Sequence, residues 1–556
     1  MNYRKFLIAA LLVMSFAVQA KDITVTRLTC EMREGRVTTS DTPRLGWQMS
    51  SPENGTRQTA YEIEIRDVWN SGKVKSAQSQ LVSCADAALE KDRHYTWRVR
   101  VWDEADTPSA WSASSDFSIL TSEAAFAGSE WIGAITRKDA RIPEGRKYHG
   151  SELKKPEAKA AWDAVDTLAK KSIYLRREFH VAKKVKDATA YVCGLGFYEF
   201  SLNGEKMGDS EFAPLWSDYD KSVYYNTYDV TSQVKKGGNA IGVLLGNGFY
   251  NVQGGRYRKL QISFGAPTLR FRMVVNYEDG TSETIVSGKD WKYDFSPVLF
   301  NCIYGGEDYD ARREQKGWNM FGFKEQDWHP VVIQEAPKGV LRPQIAQPVK
   351  IMERYDIRKV TKLTAEQITA ACKSTKRTVD PSAFVLDMGQ NLAGFPEITV
   401  RGKKGQKITL LVSESLTDEG ACNQRQTGRQ HYYEYTLKGE GVETWHPRFS
   451  YYGFRYIQVE GAVLKGQKNP FRLPVIQKIQ SCFVYNSAPK ISTFECSNRI
   501  FNDAHRLIEK AVRSNMQSVF TDCPHREKLG WLEQDHLCGP GLLYNYDLTG
   551  FVPQTL

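Results

Sequence analysis

The densest set of reactive side chains in the sequence is the run Thr521-Asp522-Cys523-Pro524-His525-Arg526-Glu527-Lys528-Leu529-Gly530-Trp531-Leu532-Glu533-Gln534-Asp535-His536. Its carboxylates are Asp522, Glu527, Glu533 and Asp535. Cleavage of a glycosidic bond needs one carboxylic acid to protonate the departing oxygen and a second carboxylate acting from the other side. Arg526 could orient a carboxylate or a sugar hydroxyl through its planar fork, and Trp531 could stack on a pyranose ring. The same composition also describes a solvated loop whose charges pair with one another. His525 and His536 with Asp522 or Asp535 fit no compact zinc spacing. A Cys523–His525 nucleophile pair is disfavoured because neighbours on an extended loop diverge. No G-x-S-x-G elbow is present for serine chemistry.

Pro524 disfavours helix at Cys523, so Asp522 to about Lys528 is expected to form a loop. Before it, Ile500, Ala504, Leu507, Ile508, Ala511, Val512 and Val519 form one stripe of a helix of about 24 residues from Ser497 to Phe520, with Ser497 as N-cap. A second helix is expected to open near Trp531. Two helices cannot bury so long a stripe by themselves. They pack on the preceding β structure, or the sequence is the front part of a longer protein.

Upstream, alternation of large apolar and polar residues dominates, the period of half-buried strands. Residues 21–122 read as a fibronectin- or immunoglobulin-like sandwich of about seven strands, with Trp47, Trp97 and Trp111 as core. Residues 123–172 read as a polar linker or insertion with one short helix around 158–170. In 173–340, Asn203-Gly204 and Asp279-Gly280 supply hairpin turns in a jelly roll. Its aromatics Trp216, Tyr219, Tyr224, Tyr225, Tyr228, Phe249 and Tyr250 suit either a sugar-binding surface or an aromatic core. Residues 341–488 read as a further β-sandwich, and 489–556 as the helical start of another domain.

The whole chain has 556 residues, of which 41% are apolar and 25% charged, with a formal charge of +10. That length predicts about three to five folding units. Phe 25, Trp 13 and Tyr 27 exclude a disordered chain, and Gly 42 and Pro 21 exclude a collagen-like one. The charge excess is spread thinly, so nucleic-acid binding is set aside. Arg4, Lys5, the apolar run Phe6–Val18 and Val18-Gln19-Ala20 read as a cleaved export signal at residues 1–20. The run is too short to span a bilayer, and no later stretch reads as a membrane span. The mature chain is therefore expected to be periplasmic or extracellular. The 10 cysteines include no CxxC pair and read mostly as buried thiols. No metal ligand set or cofactor is expected, and calcium is left without an assigned residue.

Asp522-Cys523-Pro524-His525-Arg526-Glu527-Lys528-Leu529-Gly530-Trp531 closely resembles the active-site motif of bacterial α-L-rhamnosidases of glycoside hydrolase family 78. Three further segments are similar to β domains of that family, in the family's order. They are Leu202-Asn203-Gly204 with Trp216-Ser217-Asp218-Tyr219, Asp387–Phe395, and Pro447–Tyr456. The resemblance covers most of residues 24–556. It implies inverting hydrolysis of terminal α-L-rhamnosides at a site in an (α/α)6 barrel, whose first helices stand here. Glu527 matches the family's general acid and Asp522 a carboxylate that binds rhamnose hydroxyls. Arg526 lies beside both, and Trp531 walls the sugar site. Where the family often has an acid, this chain has Gln534. Glu533 is the adjacent substitute, although one residue along a helix turns a side chain by about 100°. The family's general base lies later in the barrel, so the resemblance assigns it to no residue here and implies that this chain alone is nearly inactive. The expected partners are rhamnosylated glycans or glycosides. Two rival readings are a non-catalytic glycan-binding protein and a related barrel enzyme acting on another sugar or by elimination.

Overall fold

The computed structural model describes the chain except residues 1–21, 36, 40, 41, 92, 136–147, 150–154, 158, 159, 161–169, 253–255, 257–259, 376, 426, 428 and 429. The expected export signal and most of the helix expected around 158–170 lie outside the described residues. The described chain forms two compact units, Met1–Ala124 and Ala125–Leu556.

The first unit packs a three-stranded sheet (Thr24–Cys30, Arg44–Ser50, Val82–Ser83) on a five-stranded one (Val37–Thr39, Ser115–Ile119, Arg93–Trp102, Ala60–Ile65, Trp69–Asn70). Strand Arg93–Trp102 shows the alternation at work, since Tyr95, Trp97, Val99 and Val101 are buried. Its opposite face carries Arg98 and Arg100, paired with Glu64 and Glu62 of the neighbouring strand. Trp47 and Trp97 are core residues as expected, but Trp111 is not. It is half-buried on the polar face, with the Arg98 and Arg100 guanidiniums 4.6 and 4.8 Å from its ring centroid. An isolated Trp offers no alternation by which the two faces could be told apart.

The second unit opens with two facing sheets. One runs Glu205–Lys206, Tyr198–Leu202, Gly237–Leu245, Ile173–Val181, Lys292–Phe295, His329–Pro330. The other is built around Thr268–Tyr277 and Val185–Leu195, and the short strand Ile132–Gly133 joins its edge. Leu175, Phe200, Leu202, Ile241, Val243, Phe271 and Trp291 fill the space between them. Each such side chain contributes about 1.5–3 kcal/mol by leaving water. Asn203 and Gly204 both take positive φ, 52° and 87°, the conformation a two-residue hairpin needs. The Asn203 amide also donates to Gln233 O and Asn239 Oδ1, so this part of the motif is a scaffold feature. The aromatic run is largely core too. Tyr219, Tyr225, Phe249 and Tyr250 are buried, and half-buried Trp216 stacks on Phe249 at 4.7 Å.

The third sheet has eleven strands, centred on Phe384–Arg401 between Tyr452–Glu460 and Val475–Asn486. Two of its strands, Val298–Cys302 and Gly306–Asp310, come from well upstream, and the second runs parallel to Tyr432–Thr436. A helix interrupts the expected all-β region at Ala365–Thr375 (α1).

The helical segment begins at Arg499, with Arg499–Asn515 (α2), Leu532–Asn545 (α3) and Phe551–Thr555 (α4). Helix α2 has 17 residues, shorter than expected, and Asn498 rather than Ser497 caps it by accepting from Ile500 N at 2.9 Å. The expected stripe exists, but it faces outward. Ile500, Leu507 and Ile508 are 75%, 70% and 62% exposed. The polar side of α2 instead meets the third sheet. Buried Glu509 pairs with Lys490 and Arg513, Arg513 reaches Glu353, and Lys510 donates to Gln390. Among the described residues no helix is long and apolar enough to cross a membrane.

Candidate active site

The loop between α2 and α3 is pinned shut at its base. Thr521 and Gly530 form an antiparallel bridge, and Asp522 N donates to Leu529 O at 2.9 Å. Within it, Asp522 Oδ1 accepts from Cys523 N at 2.7 Å and Leu529 N at 3.2 Å, while Oδ2 accepts from Trp531 Nε1 at 3.3 Å. Glu527 stands across the loop with 15% of its side chain exposed. Its Oε1 accepts from Arg526 Nε at 2.5 Å, and its Oε2 accepts from the Cys523 thiol at 2.8 Å. One ligand atom from each of Asp522, Cys523 and Glu527 lies within 4.8 Å of the others.

Such a trio is the size of a cation site, with the Cys523 thiol hydrogen donated to Glu527 Oε2. Burial and that hydrogen bond push the Cys523 thiol pKa up. The histidines do not join it. His525 Nδ1 lies 3.3 Å from Glu414 Oε2, and His536 is exposed on α3.

The loop is seated from below by three separate strands of chain. Gly453 N donates to Pro524 O at 3.0 Å, and a Cβ at Gly453 would stand 2.8 Å from Pro524 Cγ and 2.7 Å from Glu414 Oε1. Asn391 in turn donates to Glu414 Oε1 at 3.1 Å. Tyr304 donates its hydroxyl to Glu527 O at 2.7 Å. Lys528 is fully buried with φ of 53°, its Nζ donating to Ile303 O at 2.6 Å and lying 3.9 Å from the Tyr452 ring centroid and 4.8 Å from that of Tyr451. Burial lowers the Lys528 pKa to about 7. Of the three β motifs read from the sequence, 447–456 meets the loop directly at Gly453, and 387–395 reaches it indirectly, from Asn391 through Glu414 to His525.

Asp522, Arg526, Glu527 and Trp531 are therefore brought together. Glu533 is not part of that hydrogen-bonded set; it is exposed in the first turn of α3. Next to it, Asp535 has both carboxylate oxygens buried without a hydrogen-bond partner among the described residues, and burial raises its pKa. Sequence reasoning missed Cys523, Lys528 and Tyr304 as supports. The i, i+4 spacing of Cys523 and Glu527 was a usable signal. Nothing local marks a lysine that will be buried, or a tyrosine more than two hundred residues away.

Comparison with known proteins covers the same ground. Residues 489–556, which include the loop, match the bacterial alpha-L-rhamnosidase 6 hairpin glycosidase domain, and 377–485 match the concanavalin-like domain of the same enzymes. Residues 183–353 match the alpha-L-rhamnosidase N-terminal domain, and 25–120 the Rha78A-like N-terminal immunoglobulin domain. An alpha-L-rhamnosidase of Formosa agariphila is 33% identical over 538 residues, covering 92% of this chain and 53% of that protein. The four matches follow one another along the chain, and three of them are to domains of alpha-L-rhamnosidases.

Two solved structures of α-L-rhamnosidases superpose over 96% of the chain. That from Dictyoglumus thermophilum has a TM-score of 0.79 at 30% identity, with 57% of its own length covered. That from Streptomyces avermitilis, complexed with L-rhamnose, has a TM-score of 0.80 at 27% identity, with 64% covered. The chain spans about half the length of the curated relatives it matches, 52–62%. The mainly β, multidomain architecture with a six-hairpin segment is thus shared with these α-L-rhamnosidases.

Proposed function

We propose that the protein hydrolyses terminal, non-reducing α-L-rhamnose residues from glycans or glycosides, with Glu527 as general acid. The observation that carries this is the pairing of two carboxyl groups within 4.8 Å on one closed loop beside an exposed indole. Proton donation requires Glu527 to hold its proton. Asp522 stands within 4.8 Å of it, and Arg526 Nε donates to Glu527 Oε1 at 2.5 Å. Asp522, whose oxygens are already oriented by three N–H donors, would accept from rhamnose hydroxyls with its remaining lone pairs. Arg526 positions the acid, and Trp531, 52% exposed, offers its face to the pyranose ring.

The reading takes the mechanism as inverting. An inverting pair stands roughly 6.5–9.5 Å apart to admit a water, and Asp522 is too close to Glu527 to be that base. The base is then another carboxylate, to which this reading assigns no residue, and no cofactor enters. The N-terminal twenty residues would direct export. The test is Glu527→Gln in the whole protein, assayed on an aryl α-L-rhamnoside. Turnover should fall by about 10³-fold or more with rhamnose binding retained. Unchanged turnover removes Glu527 from the acid role.

A further inference from the structure

One cavity of the second unit is remote in sequence from the Asp522–Trp531 loop. It is a cleft of about 720 Å³ between the sheet containing Tyr198–Leu202 and the third sheet. Its walls include strand residues 199–206, the loop 311–319, the segment 438–442, and single residues such as Tyr174, Lys404 and Arg448.

The lining is what saccharide recognition uses, aromatic faces combined with fixed polar groups. Tyr174 and Trp318 stack at 4.0 Å, and both line the cleft. Trp318 is half-buried, and Asn319 beside it is held by a 2.9 Å bond from its amide to Ser201 Oγ. The floor carries a charge network in which Arg448 lies 3.3 Å and Lys206 3.4 Å from Glu199 Oε1. These cations drive the Glu199 pKa down to about 2 against the penalty of burial, so its one negative charge is shared between two positive ones. Glu307 accepts from both Arg448 N and Phe449 N, which fixes the backbone that carries the Arg448 side chain.

The charge balance separates an acidic ligand from a neutral one. Lysine and arginine outnumber glutamate six to three in the lining. At the floor the excess is internal, with Glu199 between Arg448 and Lys206. At the rim it is not. Lys316 and Lys404 are exposed, and among the described residues neither makes an ion pair. Even against Glu440, an exposed carboxylate of the same lining, these two cations leave an excess of positive charge beside the aromatic face, which focuses a positive potential into the cleft.

We propose that this cleft is a second, non-catalytic saccharide site that holds an anionic segment of the glycan, bearing carboxylate or sulfate groups, through Trp318, Arg448, Lys316 and Lys404. It rests on the rhamnosidase reading only in that the ligand is a glycan. Occupation of the cleft would hold a polymeric substrate on the β domains while its rhamnose ends reach the loop.

The test is calorimetric titration of the 556-residue chain at about 50 mM salt, where exposed charges are least screened. One arm uses an alternating rhamnose–galacturonate hexasaccharide and another a sulfated rhamnose oligosaccharide of equal length. A third uses the carboxyl-reduced, neutral hexasaccharide. At least one acidic ligand should bind, about tenfold or more tighter than the neutral one. K316E/K404E, a pair of exposed substitutions, should weaken it about tenfold or more with the melting temperature unchanged. Trp318→Ala should weaken both acidic and neutral binding. Glu527→Gln and excess L-rhamnose should leave the affinity untouched, which separates this site from the candidate active site. Absence of binding by either acidic ligand overturns the proposal. So does equal binding of the neutral one, binding that survives K316E/K404E, or competition by L-rhamnose.

Discussion

The Cys523 thiol donates to Glu527 Oε2 across 2.8 Å, and the Glu527 backbone N–H returns a contact to the same sulfur at 3.3 Å. A residue that reads in sequence as one more scattered cysteine is thus the group that fixes the carboxyl of the proposed acid. A hydrogen bond to an ionisable carboxyl group is worth about 1.5–3 kcal/mol. Cys523→Ala in the whole protein should therefore lower kcat about ten- to hundredfold with KM nearly unchanged. Cys523→Ser, which keeps a donor, should recover most of it. Equal kcat for the alanine variant and the parent would show that the thiol is only filler.

Lys528 gives a stability prediction whose sign follows from its environment. Its pKa is lowered to about 7 in the folded chain, against an ordinary lysine value near 10.5 when unfolded. Between those values the unfolded chain binds more protons than the folded one, so stability rises with pH from about 7 towards 10.5. Below about 7 the lysine is charged in both states and the burial penalty is at its full size. Lys528→Met should flatten this rise, measured as the denaturant midpoint at a series of pH values. A slope identical to the parent's would mean that Lys528 is solvated.

Gly453 is needed for its missing side chain rather than for its backbone freedom, since it is absent from the positive-φ glycines. A Cβ there would press on Pro524 Cγ and Glu414 Oε1, at 2.8 and 2.7 Å. Overpacking of this kind costs about 1–3 kcal/mol. Gly453→Ala should lower the melting temperature by several degrees, roughly in line with that cost. It should also cut rhamnoside turnover, because the displaced segment carries the Asp522–Glu527 pair. A variant with parental melting temperature and activity would show that the loop yields without consequence.

The outward face of the helical segment is apolar. Ile500, Leu507, Ile508, Leu537 and Tyr544 are each more than 60% exposed. Large apolar side chains exposed in such number call for a covering surface. The 556-residue chain by itself should bind an apolar fluorescent dye strongly and release p-nitrophenol from its aryl α-L-rhamnoside slowly or not at all. L507K/I508K should reduce the dye signal, and release at the rate of an ordinary glycosidase would refute the inactivity.

By itself the sequence determined the identity of the loop, its carboxylates, the mainly β character of the chain before residue 489 and the turn at Asn203-Gly204. These are local properties, set by alternation, proline placement and short motifs within one stretch of chain. Only the tertiary structure decided which face of α2 meets the β domains, that Trp111 lies on the polar side of its sandwich, and that the hairpin at 298–310 joins the third sheet. It also decided that Tyr304, Gly453 and a buried Lys528 seat the loop that carries Glu527. Each of these depends on which distant surface arrives beside a residue, and the energy of that contact is not written in either partner's neighbours along the chain.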